Sequence, residues 1–397
     1  MILFDEEKAS QLIQSQGLDI ILAHTLINGG YLADHWKHEI VSSFGSYMTD
    51  DDGVPYQLIV GLPSDRKMEP FITCRTGGEE GDMFYTEVWI EDKRFWGPGT
   101  ANRESNSPFG PYNKIYSDPL EAAVDALRDR NLDRGTIGIE MRFLGVDLYH
   151  RLKNLLPEAT FVDATPILNN LRMVKTEEEV RRMRIAAKAT EKAIEAAFKT
   201  IGEGTTGLDM ERIVGATHYE EGVRHEWLHT NVGPSGAQVI CPNSTPINRG
   251  EILRLDVGAS YRHYQSDISR VSVLGDPSTE LLKTHRGMRK ALEAVVDAAR
   301  PGVTAGHLFT VGNTVVEDEG LENFLTIVGH GVGRDIHEIP FLKEGNPTIM
   351  ESGMTLAIEL ATMIKNLGCV ALEDDIVITK DGCEALSTTG RELYIVE

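Results

Sequence analysis

The sequence contains no cysteine pair at metal or redox spacing, no apolar run long enough to cross a bilayer, and too few basic residues to balance its acids. Cys74, Cys241, Cys369 and Cys383 are scattered without a CxxC motif, which excludes a disulfide scaffold or zinc knuckle and reads as free thiols in a reducing compartment. Lys and Arg number 39 against 61 Asp and Glu, a formal net charge of -22. A surface so acidic argues against nucleic acid or an anionic membrane as partner and against a polyanionic substrate. No low-complexity tract or literal repeat is present. The start, Met1-Ile2-Leu3-Phe4 running into Asp5-Glu6-Glu7, lacks the basic opening of a secretion signal, so the expected location is cytoplasmic.

What is present fits a globular protein. The 397 residues, 41% hydrophobic, are enough for two or three cored domains. Before about residue 170, strand-like runs at Asp19 to Ala23, Tyr56 to Gly61, Phe71 to Cys74 and Gly138 to Glu140 alternate with helical stretches at Glu6 to Gln14, Pro119 to Arg130 and Leu144 to Leu155, an α/β pattern. Thr176-Glu177-Glu178-Glu179 then has the form of a capping box that opens a long helix to about Thr200. The expected division is an α/β domain over 1–170 and an α+β domain over 171–397.

The second part carries the chemistry. Ile252 to Val257 is an apolar strand-like run that places Asp256 where an unpaired carboxylate is costly. Asp267 opens a second such run through Leu274, and a hairpin would bring the two carboxylates together. Met354 to Leu360 and Cys369 to Thr379 form another pair around Asn366-Leu367-Gly368, carrying Glu359 and Glu373. The two carboxylate-bearing strand pairs hint at internal duplication. Four carboxylates in one pocket repel, and a divalent metal pair is the simplest arrangement that keeps them ionised. His330, between glycines in Gly329-His330-Gly331, completes a set whose mixed nitrogen and oxygen donors favour Mn, Fe, Co or Zn over Ca. Each residue alone carries little: a single strand Asp usually completes a turn or an edge, and a single His beside Gly is usually structural. The ordered set carries the reading.

In that order, Asp, Asp, His, Glu, Glu, the residues resemble the pita-bread metallohydrolases, the superfamily of creatinase, prolidase, Xaa-Pro aminopeptidase and methionine aminopeptidase. Tyr264-Gln265-Ser266-Asp267-Ile268-Ser269-Arg270 is similar to its second-aspartate segment. Gly329-His330-Gly331-Val332-Gly333 with His337-Glu338-Ile339-Pro340 is similar to its histidine segment. The resemblance covers about residues 170 to 397 and, more loosely, the N-terminal part. It implies a creatinase-like α/β domain ahead of a pita-bread catalytic domain, two divalent ions with Mn first among Mn, Co, Zn and Fe, and hydrolysis of a C–N bond, since a divalent pair supplies a nucleophile at neutral pH and polarises an acyl carbon. It further implies that Asp256 and Asp267 bind one ion, that Asp267, His330 and Glu359 serve the other, and that Glu373 bridges. Glu359 doubles as general base, His337 contacts the substrate, Arg391 stands near the bridging carboxylates, and the chain forms a homodimer.

Two segments depart from the family. In Ser235-Gly236-Ala237-Gln238-Val239-Ile240-Cys241-Pro242-Asn243, Asn243 stands where the peptidases place a histidine that donates to the oxyanion. Asn can donate but cannot carry a proton, and His229 is the alternative imidazole. At Glu359 the chain reads Glu-Leu-Ala in place of Glu-Pro-Gly. The first reading is an Xaa-Pro aminopeptidase or dipeptidase acting on a small peptide. The alternative is a small-molecule amidino- or amidohydrolase of the creatinase or ectoine hydrolase type, and a non-catalytic binding protein is disfavoured because all five ligands are kept. Residues 75 to 117, with Phe84, Tyr85, Trp89, Phe95, Trp96, Phe109 and Tyr112, read as a lid or dimer loop, and Tyr31, Trp36 and His38 as pocket lining.

Overall fold

In the computed structural model the described residues are 1–35, 58–75, 87–97, 114–234 and 240–397. They form two compact units that divide between Arg172 and Met173.

The first unit is built on a six-stranded sheet. Its strands are β1 (Ile20–Ala23), β2 (Val60–Pro63), β3 (Phe71–Arg75), β4 (Asp92–Trp96), β5 (Thr136–Ile139) and β6 (Thr160–Asp163), in spatial order β4-β3-β2-β1-β5-β6. Strands β1, β5 and β6 run parallel, and the helix Val146–Leu155 links β5 to β6, as the α/β alternation anticipates. The helix Pro119–Asp129 starts where the Asp118 side chain accepts from the backbone N–H of Leu120 and Glu121 and proline occupies its first turn. Its Leu120, Val124 and Leu127 join Ile20, Leu22 and Ile137 in one core.

Three residues expected at a lid or pocket are core residues here. Phe95 and Trp96 end β4, which pairs with β3, and are 6% and 3% exposed, with Trp96 packed on Tyr116 and Ala122. Tyr31 is 1% exposed and its hydroxyl donates to the Leu171 carbonyl. Strand pairing buries Phe95 and Trp96 and helix packing buries Tyr31, which is why an aromatic-rich sequence misreads as an access loop. Trp89 donates its indole N–H to the Leu32 carbonyl. Trp36, His38, Phe84, Tyr85, Phe109 and Tyr112 lie outside the described residues.

The second unit opens with the helix Glu177–Phe198. Its N-terminus is a reciprocal capping box, Thr176 with Glu179, as the four-residue motif requires. The strands β7 (Arg224–Val232), β8 (Ile252–Tyr261), β9 (Tyr264–Leu274), β10 (His330–Gly331), β11 (Glu338–Phe341), β12 (Thr355–Ile364) and β13 (Gly368–Ile378) form a sheet in the order β11-β10-β12-β13-β9-β8-β7, with β14 (Cys383–Ala385) on β13 and β15 (Tyr394–Val396) on β9. The two long hairpins, β8-β9 and β12-β13, occupy its centre. Asn366 and Gly368, both at positive φ, turn the second one. Along β12 and β13 side chains alternate between faces. Ile358, Leu360 and Leu372 enter a core with Leu292 and Val295 of the helix Thr279–Ala298, which turns Glu359 and Glu373 the other way.

Candidate metal centre

Strand register collects the ligands. In antiparallel pairs, residues directly opposite each other share a face, and one cross-strand row runs His229 to Asp256, Asp256 to Ser269, Ser269 to Glu373 and Glu373 to Glu359. One pair further along, Gly258 faces Asp267 and His330 faces Ala357, two residues before Glu359. All five expected ligands therefore rise from one face of one sheet. A flat sheet would hold the β8 and β12 backbones about 14 Å apart, three strand spacings of about 4.8 Å. Yet ligand oxygens of Asp256 and Glu359 lie within 4.8 Å of each other and of Glu373, so the sheet must curl around the site and the long glutamates must reach inward.

The side chains form two triplets, each with its ligand atoms within 4.8 Å of one another: Asp267, His330 and Glu373, and Asp256, Glu359 and Glu373. Glu373 is common to both, in keeping with a bridging position. Asp256 and Asp267 fall in different triplets, and Glu359 groups with Asp256 rather than with His330, because Glu359 and Asp256 share a register row while Asp267 and His330 sit in the next.

His330 is held by close backbone packing. A side chain at Gly329 or Gly331 would sit 2.3 Å from the Ala357 carbonyl or 2.5 Å from the Ile339 carbonyl, so only glycine fits on either side. The imidazole Nδ1–H donates to the Gly331 carbonyl at 3.1 Å. That leaves the Nε2 lone pair facing Asp267 Oδ2 at 3.8 Å and Glu373 Oε1 at 3.9 Å. Burial, reinforced by His337, pushes His330 down to about 4, so it is neutral and able to ligate at neutral pH. His337 is exposed and meets the His330 ring edge-on at a centroid distance of 4.3 Å. Its loop is tied down beneath by the buried Lys175–Glu338 ion pair at 2.8 Å.

The carboxylates are electrostatically unequal. Burial, then Asp256, Asp375 and Glu359, raises Asp267 well above the ordinary range, and burial followed by Asp267 and Glu359 does the same to Glu373. Burial also pushes Asp256 upward, but Arg254, helped by His229, outweighs it and leaves Asp256 below the usual value. Two buried oxygens, Asp256 Oδ1 and Glu373 Oε1, have no hydrogen-bond partner. Orphaned, mutually repelling carboxylate oxygens around an imidazole lone pair are what a divalent cation satisfies, so the donor set fits two such ions.

Of the two candidate oxyanion donors, His229 stands beside the cluster. Its Nδ1 is 3.5 Å from Asp256 Oδ2 and its side chain is 27% exposed. The Asn243 side chain is engaged in its own loop, donating to the Cys241 carbonyl and accepting from the Thr245 N–H. Ser235 to Val239 lie outside the described residues. Arg391 faces away: it pairs with Asp374, as does Arg270, on the side of β13 opposite Glu373.

Two residues of the site escape the sequence reading. Arg254, fully buried, donates from Nη2 to Asp256 Oδ2 at 2.8 Å, and Asp375 accepts the Asp267 backbone N–H at 2.9 Å. A period-two count along each strand puts Arg254 on the face of Asp256 and Asp375 on that of Glu373, without revealing what either one bonds.

The metallopeptidase family M24 matches residues 181–380, a span containing all five residues, and the creatinase/prolidase N-terminal domain matches residues 91–174. An Xaa-Pro dipeptidase of Lactobacillus helveticus is 32% identical over 360 residues, 88% of this chain and 92% of the relative. The chain belongs to metallopeptidase family M24. A second relative, an Xaa-Pro dipeptidase of Pyrococcus horikoshii, is 30% identical over 80% of this chain and 86% of its own length. The prolidase of Pyrococcus horikoshii OT3 shares the fold with a TM-score of 0.78 at 22% identity, covering 98% of this chain and 99% of that one. The X-Pro aminopeptidase of Thermotoga maritima does so with 0.75 at 22% identity over 99% of each. This M24 protein is a metal-dependent peptidase of pita-bread fold with a creatinase-type N-terminal domain.

Proposed function

We propose that the protein is an Xaa-Pro dipeptidase whose metal ligands are Asp256, Asp267, His330, Glu359 and Glu373. The convergence of these five side chains on one face of the curled sheet is the observation that carries the reading. Similarity to Xaa-Pro dipeptidases over most of the chain favours proline peptides over the small amidine and amide substrates of the alternative. Mn is the first choice of metal, ahead of Co, Zn and Fe, because four carboxylates around one imidazole make an oxygen-rich donor set, which suits Mn. A homodimer and a cytoplasmic location complete the proposal, on the resemblance to two-domain relatives and the acidic composition.

A bound divalent pair supplies water as a nucleophile at neutral pH and draws electron density from the scissile carbonyl. The chain's own residues do the rest. Glu359 takes the proton from the attacking water and returns it to the leaving proline nitrogen, which needs it because a tertiary amide has no N–H of its own. His229, partly exposed beside Asp256, donates to the developing oxyanion, the role that Asn243 cannot fill from within its own loop. His337, exposed and edge-on to His330, contacts the substrate on the other flank. Glu359→Gln tests the assignment: it removes the base while keeping an oxygen ligand, so kcat should fall by about 100-fold or more while at least one ion stays bound. Unchanged turnover would remove Glu359 from the proton path.

A further inference from the structure

Behind the sheet, on the side of β13 away from Glu373, lies an open polar cleft of about 270 Å³. One wall is the helix Thr279–Ala298, through Arg289 and Glu293; the other is the segment after β14, residues 387–392. That segment is anchored: the backbone N–H groups of Thr388 and Thr389 donate to Glu191 Oε1, and the Thr389 and Gly390 carbonyls accept from Arg270 at 3.4 and 3.3 Å. Asp374, at the floor, is held by Arg270, Ser387 and Arg391. The rim is looser. Glu392 pairs with Arg289 but is 79% exposed, and Glu293, 43% exposed, stands 3.7 Å from Arg289 Nε and 3.9 Å from Arg391 Nη1. The Arg289 Nε–H is buried and meets no acceptor among the described residues. One turn earlier on the helix, His285 is buried with its Nε2 in the same condition. Burial, then the charges of Arg289 and Arg270, push His285 down to about 4.

We propose that this cleft binds a small zwitterionic amino acid, its carboxylate on the guanidinium groups of Arg289 and Arg391 and its ammonium against Glu293 and Glu392. A simple anion would gain the two arginines but meet the repulsion of the two glutamates and of a chain whose net charge is -22. A simple cation would meet the arginines. A zwitterion satisfies both signs at once. Exposed ion pairs contribute little in water, so the rim glutamates can turn from Arg289 to a ligand at small cost. The guanidinium fork matches a carboxylate in shape and charge, and the unpaired Arg289 Nε–H supplies a donor for it. Because the loop behind is already anchored, binding orders little that is not ordered beforehand. The serine and threonines of the lining favour a small polar side chain, as in serine, over an apolar one. The site lies apart from the carboxylate cluster, and the inference does not depend on which peptide the protein cleaves.

The test is calorimetric titration of L-serine into the Mn-loaded full chain, for the parent, Arg289→Gln and Glu293→Gln, with N-acetyl-L-serine and L-serine amide as probes that each lack one charge. Far-UV circular dichroism checks each fold, and Glu392→Gln replaces Glu293→Gln should the helix variant not fold. The parent should bind L-serine saturably, at least tenfold tighter than either single-charge probe. Arg289→Gln and Glu293→Gln should each weaken that binding tenfold or more while hydrolysing peptide at the parent rate. The glutamate variant decides the ligand class, since a site for anions would be tightened by it. No saturable binding, a single-charge probe bound as tightly as L-serine, tighter binding in Glu293→Gln, or unchanged affinity in both variants overturns the inference. The last result would place the amino acid at the peptide site instead. Absence of Xaa-Pro hydrolysis in the parent would count against the dipeptidase reading alone.

Discussion

At the residue scale, the site separates groups that hold metal from groups that meet substrate. Asp267→Asn should cost both activity and bound metal, since Asp267 stands with His330 and Glu373 in one triplet. His229→Ala should lower kcat by about 100-fold, the usual cost of a lost oxyanion donor, with metal content unchanged. Asn243→Ala should leave kcat near the parent value, because that side chain serves Cys241 and Thr245. Parallel steady-state kinetics and metal analysis check all three, and the reverse ranking of His229 and Asn243 would return the donor role to Asn243. Away from the centre, His218 is buried and depressed to about 3, by burial first and then by neighbouring His225. The unfolded chain, with a histidine near 6.5, therefore binds the extra proton as pH falls below that value. Stability from this group is complete above about pH 6.5 and is lost toward pH 3, at no more than about 1.4 kcal/mol per pH unit. Urea unfolding at pH 7.5 and pH 5 should show this slope, shallower in His218→Gln; equal slopes would contradict it. The five residues that cluster on the sheet stand out in the sequence by type and order. Arg254 and Asp375 do not, because a charge within an apolar run, or beside a better-recognised acid, declares its partner only when facing strands are in register.

At the element scale, the hairpins do the assembling. Glu359 and Glu373 face each other because the turn at Asn366 and Gly368 sets the register of β12 and β13. Gly368 has φ 124° and an added Cβ would lie 2.3 Å from the Gly233 carbonyl. Gly368→Ala should therefore destabilise the protein by about 2 kcal/mol or more and reduce metal occupancy, read by denaturant titration and metal analysis. A variant as stable as the parent would show that the turn does not control the pairing. Both hairpins and the Thr176 capping box could be read from alternation and turn chemistry. The aromatic segment could not. Alternation was too weak there to reveal that Phe95 and Trp96 end a paired strand, and a ring on a buried edge has the same composition as one on a lid.

At the scale of the whole molecule, metal and charge govern stability. Ions bound only by the folded chain raise the unfolding midpoint by mass action, so chelation should lower the midpoint and added Mn²⁺ should restore it in a concentration-dependent way. With a net charge of -22, self-repulsion destabilises the compact state. Raising NaCl from low to physiological concentration should lift the midpoint of the metal-free protein, and a flat response would show that the charge is already neutralised in local pairs. The two-domain plan followed from the change of pattern near residue 170. The curling of the sheet, which brings β8 and β12 together, has no local signature, since it arises from pairing between strands distant in sequence.

The most direct test is hydrolysis of Xaa-Pro dipeptides by the Mn-loaded protein, compared with longer Xaa-Pro peptides, creatine and ectoine, before and after chelation and with Asp267→Asn as control. The account predicts cleavage of the dipeptides, lost on chelation, regained with Mn²⁺ and absent in the variant. Cleavage of creatine or ectoine alone, or dipeptide cleavage that survives both chelation and Asp267→Asn, would contradict it.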